Sequence, residues 1–448
     1  MANFSKSNVP QFSVDVYQNE YLPEGGREVN AIVTVTATGG GTIGSAVTAP
    51  HLHAPGQGPD AAVAIMVDCS GSMDYPPTKM RNAREATAAA IDTLRDGVRF
   101  AVIGGTHVAK EVYPGGGRLA VADAATRGQA KQALRRLSAG GGTAIGTWLR
   151  LADRLLSSAD VSIRHGILLT DGRNEHESPD ALKGTLEACA GRFTCDARGV
   201  GTDWEVKEVT GIASALLGTA DIVADPAALA ADFTQMMETA MGKEVADVAL
   251  RLWTPVGTEI RFVKQVAPTV EDLTGRRIEA GPRAGDYPTG SWGDESRDYH
   301  VCVQVPAANV GQEMLAARVS LVIPQSDGTV HNLGAQGLVR AVWTDDMVAS
   351  TSINPQVAHY TGQAELAQVI QQGLNLRKEG DFDGATAKLG RAVQLANASG
   401  NADTAKLLAK VVDVVDAATG TVRLKAKVAE ADEMTLETRS TKTVRVKK

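Results

Sequence analysis

The chain has 448 residues, more than one hydrophobic core usually serves, so we expect two or three domains. Its 45 Lys and Arg against 52 Asp and Glu give a net charge of −7 without a concentrated basic surface, which argues against DNA or RNA as the main partner. The four scattered cysteines argue against a disulfide framework, and no apolar run reaches the roughly 18 residues of a membrane helix, so we expect a cytoplasmic protein with no membrane partner.

The first recognisable pattern is an alternation of apolar and polar residues at 29–36, which returns at 245–252. Four similar runs follow, at 258–266, 297–305, 315–323 and 338–343. A period of two residues is typical of antiparallel strands with one buried face. Because these runs lie on both sides of a different pattern, we predict one antiparallel β-sandwich built from residues 1–58 and 243–350. The glycine-rich stretches 39–41 and 55–59 would supply a flexible entry to the inserted part.

Between these flanks, residues 59–242 alternate short aliphatic runs with segments of helical period, the pattern of a parallel sheet covered by helices. We predict six strands, at 62–68, 99–105, 108–114, 164–171, 194–201 and 219–225. Helices are predicted after turn signals, at 78–96, 180–191 and 227–242. The second and third strands are connected through Gly105-Thr106-His107, which is too short for a parallel crossover, so the third strand should be antiparallel at an edge. The fold class is therefore a doubly wound α/β domain inserted in the sandwich.

The C-terminal third changes pattern again. Residues 351–418 have apolar positions at helical spacing, which predicts three packed helices acting as a cap or a dimerisation element. The turn at 379–384 resembles a tetratricopeptide hairpin, but a single unit is too short for a solenoid. Residues 419–448 contain eight Lys and Arg against four Asp and Glu and little apolar surface, so we predict a flexible basic tail.

Oxygen-bearing side chains follow two of the predicted α/β strands and one predicted loop. Asp68 ends the first strand, and Ser70 and Ser72 follow it on alternate residues. Thr143 closes a glycine-rich loop that opens a helix, and Asp171 ends the fourth strand. Strand C-termini and helix N-termini share one edge of a doubly wound sheet, so these five side chains should meet where the strand order reverses. Carboxylate and hydroxyl oxygens together suit a hard divalent cation.

These segments, Asp68-x-Ser70-x-Ser72, the Gly-Gly-Thr143 loop and Thr-Asp171-Gly, resemble the metal-ion-dependent adhesion site of von Willebrand factor A domains. The resemblance covers the predicted α/β domain and implies a Rossmann-like A domain. It implies that Ser70, Ser72 and Thr143 ligate Mg²⁺ directly or in turn, and that Asp68 and Asp171 ligate it directly or through water. Mn²⁺ or Ca²⁺ are alternative ions. The resemblance also implies that a partner protein completes the coordination with an exposed Asp or Glu.

The ligand chemistry supports the same function without the family. Two carboxylates balance the +2 charge only nominally, and neutral hydroxyls donate little, so the cation stays electrophilic and keeps an exchangeable water. An incoming carboxylate can replace that water. We therefore predict a non-enzymatic, metal-dependent protein-binding scaffold with no catalytic residues and no organic cofactor.

A Mg²⁺-dependent hydrolase, such as a phosphatase or an ATPase, is the alternative, because the same ion could polarise a phosphate or activate water. Such an enzyme needs a base or a nucleophile. Cys69 lacks an arginine six residues on, there is no G-x-S-x-G segment, and only His176 is predicted near the site. Asp68 and Ser70 taken alone also fit an ordinary helix N-cap.

A third hypothesis concerns the tail, where Thr435, Thr438, Thr441 and Thr443 lie among basic residues. In a flexible segment a Ser/Thr kinase could modify them, and a phosphothreonine-binding domain could then dock. The chain resembles bacterial intracellular A-domain proteins that accompany kinases and forkhead-associated domains, which implies a kinase-regulated signalling adaptor. The alternative is a tail that only keeps the protein soluble.

Overall fold

The computed structural model describes residues 10–39, 60–325 and 327–446. The predicted glycine-rich entry at 40–41 and 55–59 lies outside the described residues. Within the described residues the strands are numbered in chain order: β1 (Gln11–Gln18), β2 (Tyr21–Leu22), β3 (Glu28–Thr38), β4 (Ala61–Asp68), β5 (Arg99–Gly105), β6 (Ala109–Tyr113), β7 (Ala120–Val121), β8 (Ile163–Thr170), β9 (Thr194–Val200), β10 (Ala220–Val223), β11 (Val245–Trp253), β12 (Glu259–Ala267), β13 (Glu271–Asp272), β14 (Ile278–Gly281), β15 (Ala284–Trp292), β16 (Glu295–Gln304), β17 (Glu313–Pro324), β18 (Val330–Trp343), β19 (Val412–Asp416) and β20 (Thr421–Leu424).

The helices of the same residues are numbered likewise. They are α1 (Thr78–Thr93), α2 (Ala124–Leu134), α3 (Ile145–Ser157), α4 (Pro179–Cys189), α5 (Val206–Ala215), α6 (Leu229–Met241), α7 (Met347–Thr351), α8 (Pro355–Glu379), α9 (Phe382–Ser399), α10 (Ala402–Val411) and α11 (Glu430–Arg439). Among the described residues, no helix is both long enough and apolar enough to cross a membrane.

The predicted α/β sheet is confirmed. Its strand order is β10-β9-β8-β4-β5-β6, and β7 also pairs with β5. The pairs from β10 to β5 are parallel, whereas β6 runs antiparallel to β5 at the edge, as the short connection between them predicts. Central strand β4 is buried along its whole length, which explains why its sequence is a continuous apolar run rather than an alternation.

Helices cover both faces of this sheet. On one face, Phe100 and Val102 of β5 share a core cluster with side chains of α1 and α6. Gly105 lies an odd number of residues further along β5 and therefore faces the other way. On that side the ring of Trp148, from α3, packs directly against Gly105. A Cβ added to Gly105 would lie only 2.2 Å from the ring. The Trp148 indole also donates to the Thr106 carbonyl at 2.6 Å, which fixes α3 against the end of β5.

Two antiparallel sheets are built from the flanking segments, as predicted. One has the order β1-β3-β16-β12-β13, and the other has the order β14-β15-β11-β17-β18-β2, with β2 parallel to β18. The first sheet joins both flanks of the α/β insertion, because β3 pairs with β16 from Glu28 to Ala37. The two sheets contact each other between β18 and β1: a Cβ added at Gly337 of β18 would lie 2.6 Å from the Val16 side chain of β1.

The three predicted C-terminal helices are confirmed as α8, α9 and α10. Each is preceded by a capping residue whose side chain accepts a hydrogen bond from a backbone N–H of the first turn. These capping residues are Asn354, Asp381 and Asn401 respectively. Gly380 and Gly400 end α8 and α9 with φ of +84° and +67°, in the left-handed region that glycine adopts without strain. The three helices bury one shared apolar cluster.

The prediction of a flexible tail after residue 418 is wrong for the described residues. β19 and β20 form a hairpin, α11 follows, and Leu436 is fully buried in the cluster of the three helices. The last described residues return to the sandwich, where the Thr443 hydroxyl donates to the Val266 carbonyl at 2.6 Å. The few apolar residues of this segment lie too far apart to form a recognisable face in the sequence, yet Val422, Met434 and Leu436 are buried.

The chain divides into two compact units. Of the described residues, one unit contains 60–246 and 290–293, and the other contains 11–39, 247–289, 294–325 and 327–446. The helical segment therefore belongs to the same unit as the sandwich, whereas the sequence predicted a separate domain at 351–418. Tyr360 of α8 shows the connection, because its side chain joins the apolar cluster of Ile32 and Val266 and its hydroxyl donates to Asp298 of β16.

Candidate metal centre

Asp68 is one of the two carboxylates of the predicted site. Its carboxylate is 0% exposed at the end of β4. One oxygen accepts the Ser70 backbone N–H at 2.8 Å, and the other accepts the Thr170 hydroxyl at 2.7 Å. Burial raises the pKa of Asp68 to about 6, and the charge of Asp171 adds to this rise although the hydrogen bonds oppose it. Two buried carboxylates so close together carry an electrostatic cost that a bound cation would offset.

Asp171 and the two serines form a hydrogen-bonded chain beside it. The Ser72 hydroxyl donates to Asp171 Oδ1 at 2.6 Å, and the Ser70 and Ser72 hydroxyl oxygens are 2.9 Å apart. A Cβ added at Gly172 would lie 3.1 Å from Ser72 Oγ, 3.6 Å from Thr143 Oγ1 and 3.9 Å from Ser70 Oγ. The three hydroxyls thus converge beside Gly172, where any larger residue would crowd Ser72 Oγ. The structure brings all five predicted residues together.

The loop that presents Thr143 is locked to the loop after β4. Gly71 donates its backbone N–H to the Gly141 carbonyl at 2.9 Å, and Gly140 donates to the Cys69 carbonyl at 2.9 Å. The backbone N–H of Thr143 donates to ring atom Nδ1 of His176 at 3.2 Å. The backbone N–H of His176 donates in return to the Thr143 carbonyl at 3.0 Å. These bonds position Thr143 without using its side chain, so its hydroxyl stays available as a ligand.

Gly142 allows a test of this positioning. A Cβ at Gly142 would lie 2.2 Å from the His176 ring, so Gly142→Ala should push the ring away and break its bond to Thr143. We expect a loss of about 1 kcal/mol in the free energy of unfolding and weaker divalent-cation binding. Thermal denaturation and Mn²⁺ titration measure both. Gly140→Ala is the matched control, because nothing lies within 4 Å of its added Cβ. Equal behaviour of the two variants would contradict the role given to His176.

Lys79 was not predicted, and it is the closest charged neighbour of the site that the sequence analysis missed. Its Nζ donates to Asp171 Oδ2 at 2.7 Å and to the Ser72 carbonyl at 3.3 Å, and Asp203 Oδ2 lies 3.4 Å away. Burial lowers the pKa of Lys79, but the hydrogen bond and charge of Asp171, together with Asp203, outweigh it and leave the pKa raised. A lysine at the start of an amphipathic helix has no sequence signal that separates it from a surface residue.

The side chains that a hydrolase would use are poorly placed. Burial, with the charge of Asp68 next, raises the pKa of the Cys69 thiol to about 12, so it stays protonated at neutral pH. His176 is exposed at the rim with the ring of His107 at 6.4 Å, a neighbour that the sequence did not predict. His165 lies at the opposite edge of the sheet, where it contacts Thr194 and Asp196.

The donor set fits a divalent cation. It consists of two carboxylates and three hydroxyls, all oxygen atoms, which are the ligands that Mg²⁺, Mn²⁺ and Ca²⁺ prefer. Elsewhere in the described part of the chain, no group of three or more His, Cys, Asp and Glu side chains forms a competing metal site. The four cysteines, all described, are free and buried, as expected from their spacing.

Comparisons with known proteins agree with this fold. Residues 61–222 match the family model of the von Willebrand factor type A domain, and residues 394–440 match that of the von Willebrand factor type A C-terminal domain. The solved structure of a von Willebrand factor type A protein from Catenulispora acidiphila is 52% identical, with a TM-score of 0.91 over 100% of this chain and 99% of that one. A search of curated proteins gave no match.

This chain therefore belongs to the von Willebrand factor type A family. The similarity extends over its whole length, so the sandwich and the C-terminal helices are part of the shared architecture. The ArnB paralog VWA2 from Sulfolobus acidocaldarius has the same fold at 14% identity, with a TM-score of 0.58 over 96% of this chain and 98% of that one.

Proposed function

We propose that Asp68, Ser70, Ser72, Thr143 and Asp171 form a metal-ion-dependent adhesion site that holds Mg²⁺, or Mn²⁺ or Ca²⁺ in its place. A bound ion would supply an electrophilic position for an Asp or Glu carboxylate of a partner protein. The chain would then act as a non-enzymatic scaffold. The observation that carries this proposal is the convergence of three hydroxyls beside Gly172, next to two buried carboxylates.

The residues would divide the work between them. The backbone N–H of Ser70 and the hydroxyl of Thr170 hold the Asp68 carboxylate in one orientation before any ion binds. Hydrogen bonds to the loop after β4 and to His176 hold the loop that carries Thr143 in a fixed position. Such preorganisation lowers the cost of assembling the ligands around a cation. The neutral hydroxyls leave the positive charge of the ion available to the partner.

The test is a selection of binding peptides from a random library on the immobilised full-length protein, in Mg²⁺ and again in EDTA. We expect the selected peptides to share an Asp or Glu, to lose binding when that residue becomes Asn or Gln, and to be released by EDTA. Peptides that bind equally well in EDTA, or that bind without any acidic residue, would contradict the proposal.

Asp68→Asn is the sharpest variant for this test. The amide has the shape of the carboxylate, and the Thr170 hydroxyl can turn to accept a hydrogen bond from it, so the packing is kept while the charge is lost. We expect at least about a hundredfold loss of Mg²⁺-dependent peptide binding, because changing even an outer-shell partner of a metal ligand typically costs about 10- to 100-fold in metal affinity. Asp92→Asn, on the surface of α1, is the control and should bind as the natural protein does.

No observation favours the hydrolase alternative, because the thiol next to the site is protonated and His176 uses Nδ1 to hold Thr143. The tail hypothesis loses its premise of a flexible segment: Thr438 is 4% and neighbouring Ser440 is 2% exposed, and Thr435, Thr441 and Thr443 are half-buried. A kinase would have to unfold α11 to reach Thr438. The cytoplasmic location stays a prediction.

A further inference from the structure

Lys79 gives the site a charge balance that the five proposed ligands alone do not have. Its side chain is 8% exposed and that of Asp171 is 0% exposed, so the pair at 2.7 Å is almost completely shielded from water. Asp203, the second carboxylate near Lys79, is 70% exposed, and solvent screens its contribution. The buried charges to be balanced are therefore those of Asp68, Asp171 and Lys79.

We propose that Lys79 is a built-in counter-charge that weakens the hold of the site on a bare divalent cation and makes tight cation binding depend on the partner's carboxylate. This inference rests on the proposed function of the site. Lys79 acts as a specificity-determining residue and not as a ligand, because an ammonium group has no lone pair to donate to a metal.

The first argument is the sum of charges. Two carboxylates and one ammonium total −1, so the site with a divalent cation carries +1, and a partner's carboxylate brings the total to zero. Without Lys79 the empty site carries −2, the site with a divalent cation carries zero, and the partner's carboxylate then brings the total to −1. Uncompensated charge in a buried place is costly. Lys79 therefore makes the partner's carboxylate the group that neutralises the site, instead of one that adds excess charge.

The second argument is competition for Asp171. Its Oδ1 accepts the Ser72 hydroxyl, and its Oδ2 accepts the Lys79 ammonium. Both oxygens of Asp171 thus already have donors, so a cation has to share this carboxylate with Lys79. A positive charge on Nζ also repels the cation directly. Both effects lower the affinity of the site for the ion alone.

The third argument is that Lys79 is fixed in place. Its Nζ also donates to the Ser72 carbonyl at 3.3 Å, within the loop that carries two of the proposed ligands. Lys79 lies in the first turn of α1, which packs against the sheet through its buried alanines, so its backbone cannot shift independently of the fold. The ammonium is therefore a permanent part of the electrostatics of the site.

The experiment compares Mn²⁺ binding by the full-length protein and two variants, using calorimetry. Lys79→Met keeps the length of the aliphatic chain and removes the charge, and Lys183→Met, at an exposed position of α4, is the matched control. We expect Lys79→Met to bind Mn²⁺ about tenfold more tightly or better, since repulsion between +1 and +2 charges a few ångströms apart amounts to that much even in water. Lys183→Met should match the natural protein.

A second measurement tests the dependence on a carboxylate. Acetate, compared with chloride at equal ionic strength, serves as the probe for the partner's side chain. We expect acetate to strengthen Mn²⁺ binding by the natural protein and to strengthen it less in Lys79→Met. Lys79→Gln, which keeps a hydrogen-bond donor without the charge, provides the same comparison if the methionine variant does not fold.

The outcomes separate the two proposals. If the natural protein binds Mn²⁺ and the neutral variants bind it equally or more weakly, the role of Lys79 is overturned while the metal site stands. A merely structural ion pair would give this result, together with a lower melting temperature. If neither the natural protein nor the neutral variants bind Mn²⁺, the proposed function itself fails, and the inference fails with it.

Discussion

Asp171→Asn should have two large effects at once: complete loss of Mn²⁺ binding and a decrease of about 3 kcal/mol in the free energy of unfolding, the typical cost of removing one partner of a buried ion pair. The destabilisation follows because the ammonium of Lys79 loses the charged partner that it contacts at 2.7 Å, in a place where water hardly reaches it. Urea unfolding and Mn²⁺ titration measure the two effects separately.

A double variant distinguishes the structural role of Asp171 from its proposed role as a ligand. Adding Lys79→Met to Asp171→Asn removes the unpaired charge, so at least half of the lost stability should return. Metal binding should not return, because the carboxylate is still missing. If the single variant is as stable as the natural protein, the ion pair between Lys79 and Asp171 contributes little to the free energy of unfolding. If the double variant binds Mn²⁺, Asp171 is not a ligand.

Much of the site can be predicted from the sequence because its geometry follows from topology. Asp68 and Asp171 each end or follow an apolar run, and the ends of neighbouring parallel strands must lie side by side. The glycine-rich loop before α3 places Thr143 at the same edge. Regular secondary structure determines these positions, so residue type and spacing are sufficient to predict that the three residues lie at one edge of the sheet.

The neighbours of the site could not be predicted in the same way. Lys79 reaches Asp171 across a distance in the chain that no local pattern encodes, and a lysine in the first turn of a helix is normally a surface residue. The contact of Trp148 with Gly105 depends on the packing of α3 over β5, for which the sequence offers only a glycine in a strand. Side-chain reach and packing are tertiary properties.

The C-terminal segment shows the opposite error, in which composition was misleading. An excess of basic residues and few apolar ones predicted a flexible tail. Composition describes the average of a segment, whereas burial depends on a few positions, and here Val422, Met434 and Leu436 are the ones that are buried. Two of these residues, Val422 and Leu436, fill places in the existing cluster of the helices.

Leu436→Ala tests this anchoring and should be the most destabilising single change in the C-terminal segment. The side chain is fully buried among residues of α8, α9 and α10, so its removal leaves a cavity that the surrounding helices cannot fill completely. We expect a loss of about 3 kcal/mol in the free energy of unfolding, within the range for large-to-small changes in a core. Urea unfolding measures it.

Val415→Ala provides the control, because Val415 is a 59% exposed residue of the neighbouring hairpin and its truncation should change stability by less than about 0.5 kcal/mol. Limited proteolysis gives a second measurement. The natural protein should resist cleavage within α11, where basic Arg439 offers a trypsin site, and Leu436→Ala should be cleaved there first. Rapid cleavage of the natural protein at Arg439 would mean that α11 detaches readily. The buried hydroxyls of Thr438 and Ser440 would then be open to kinases after all.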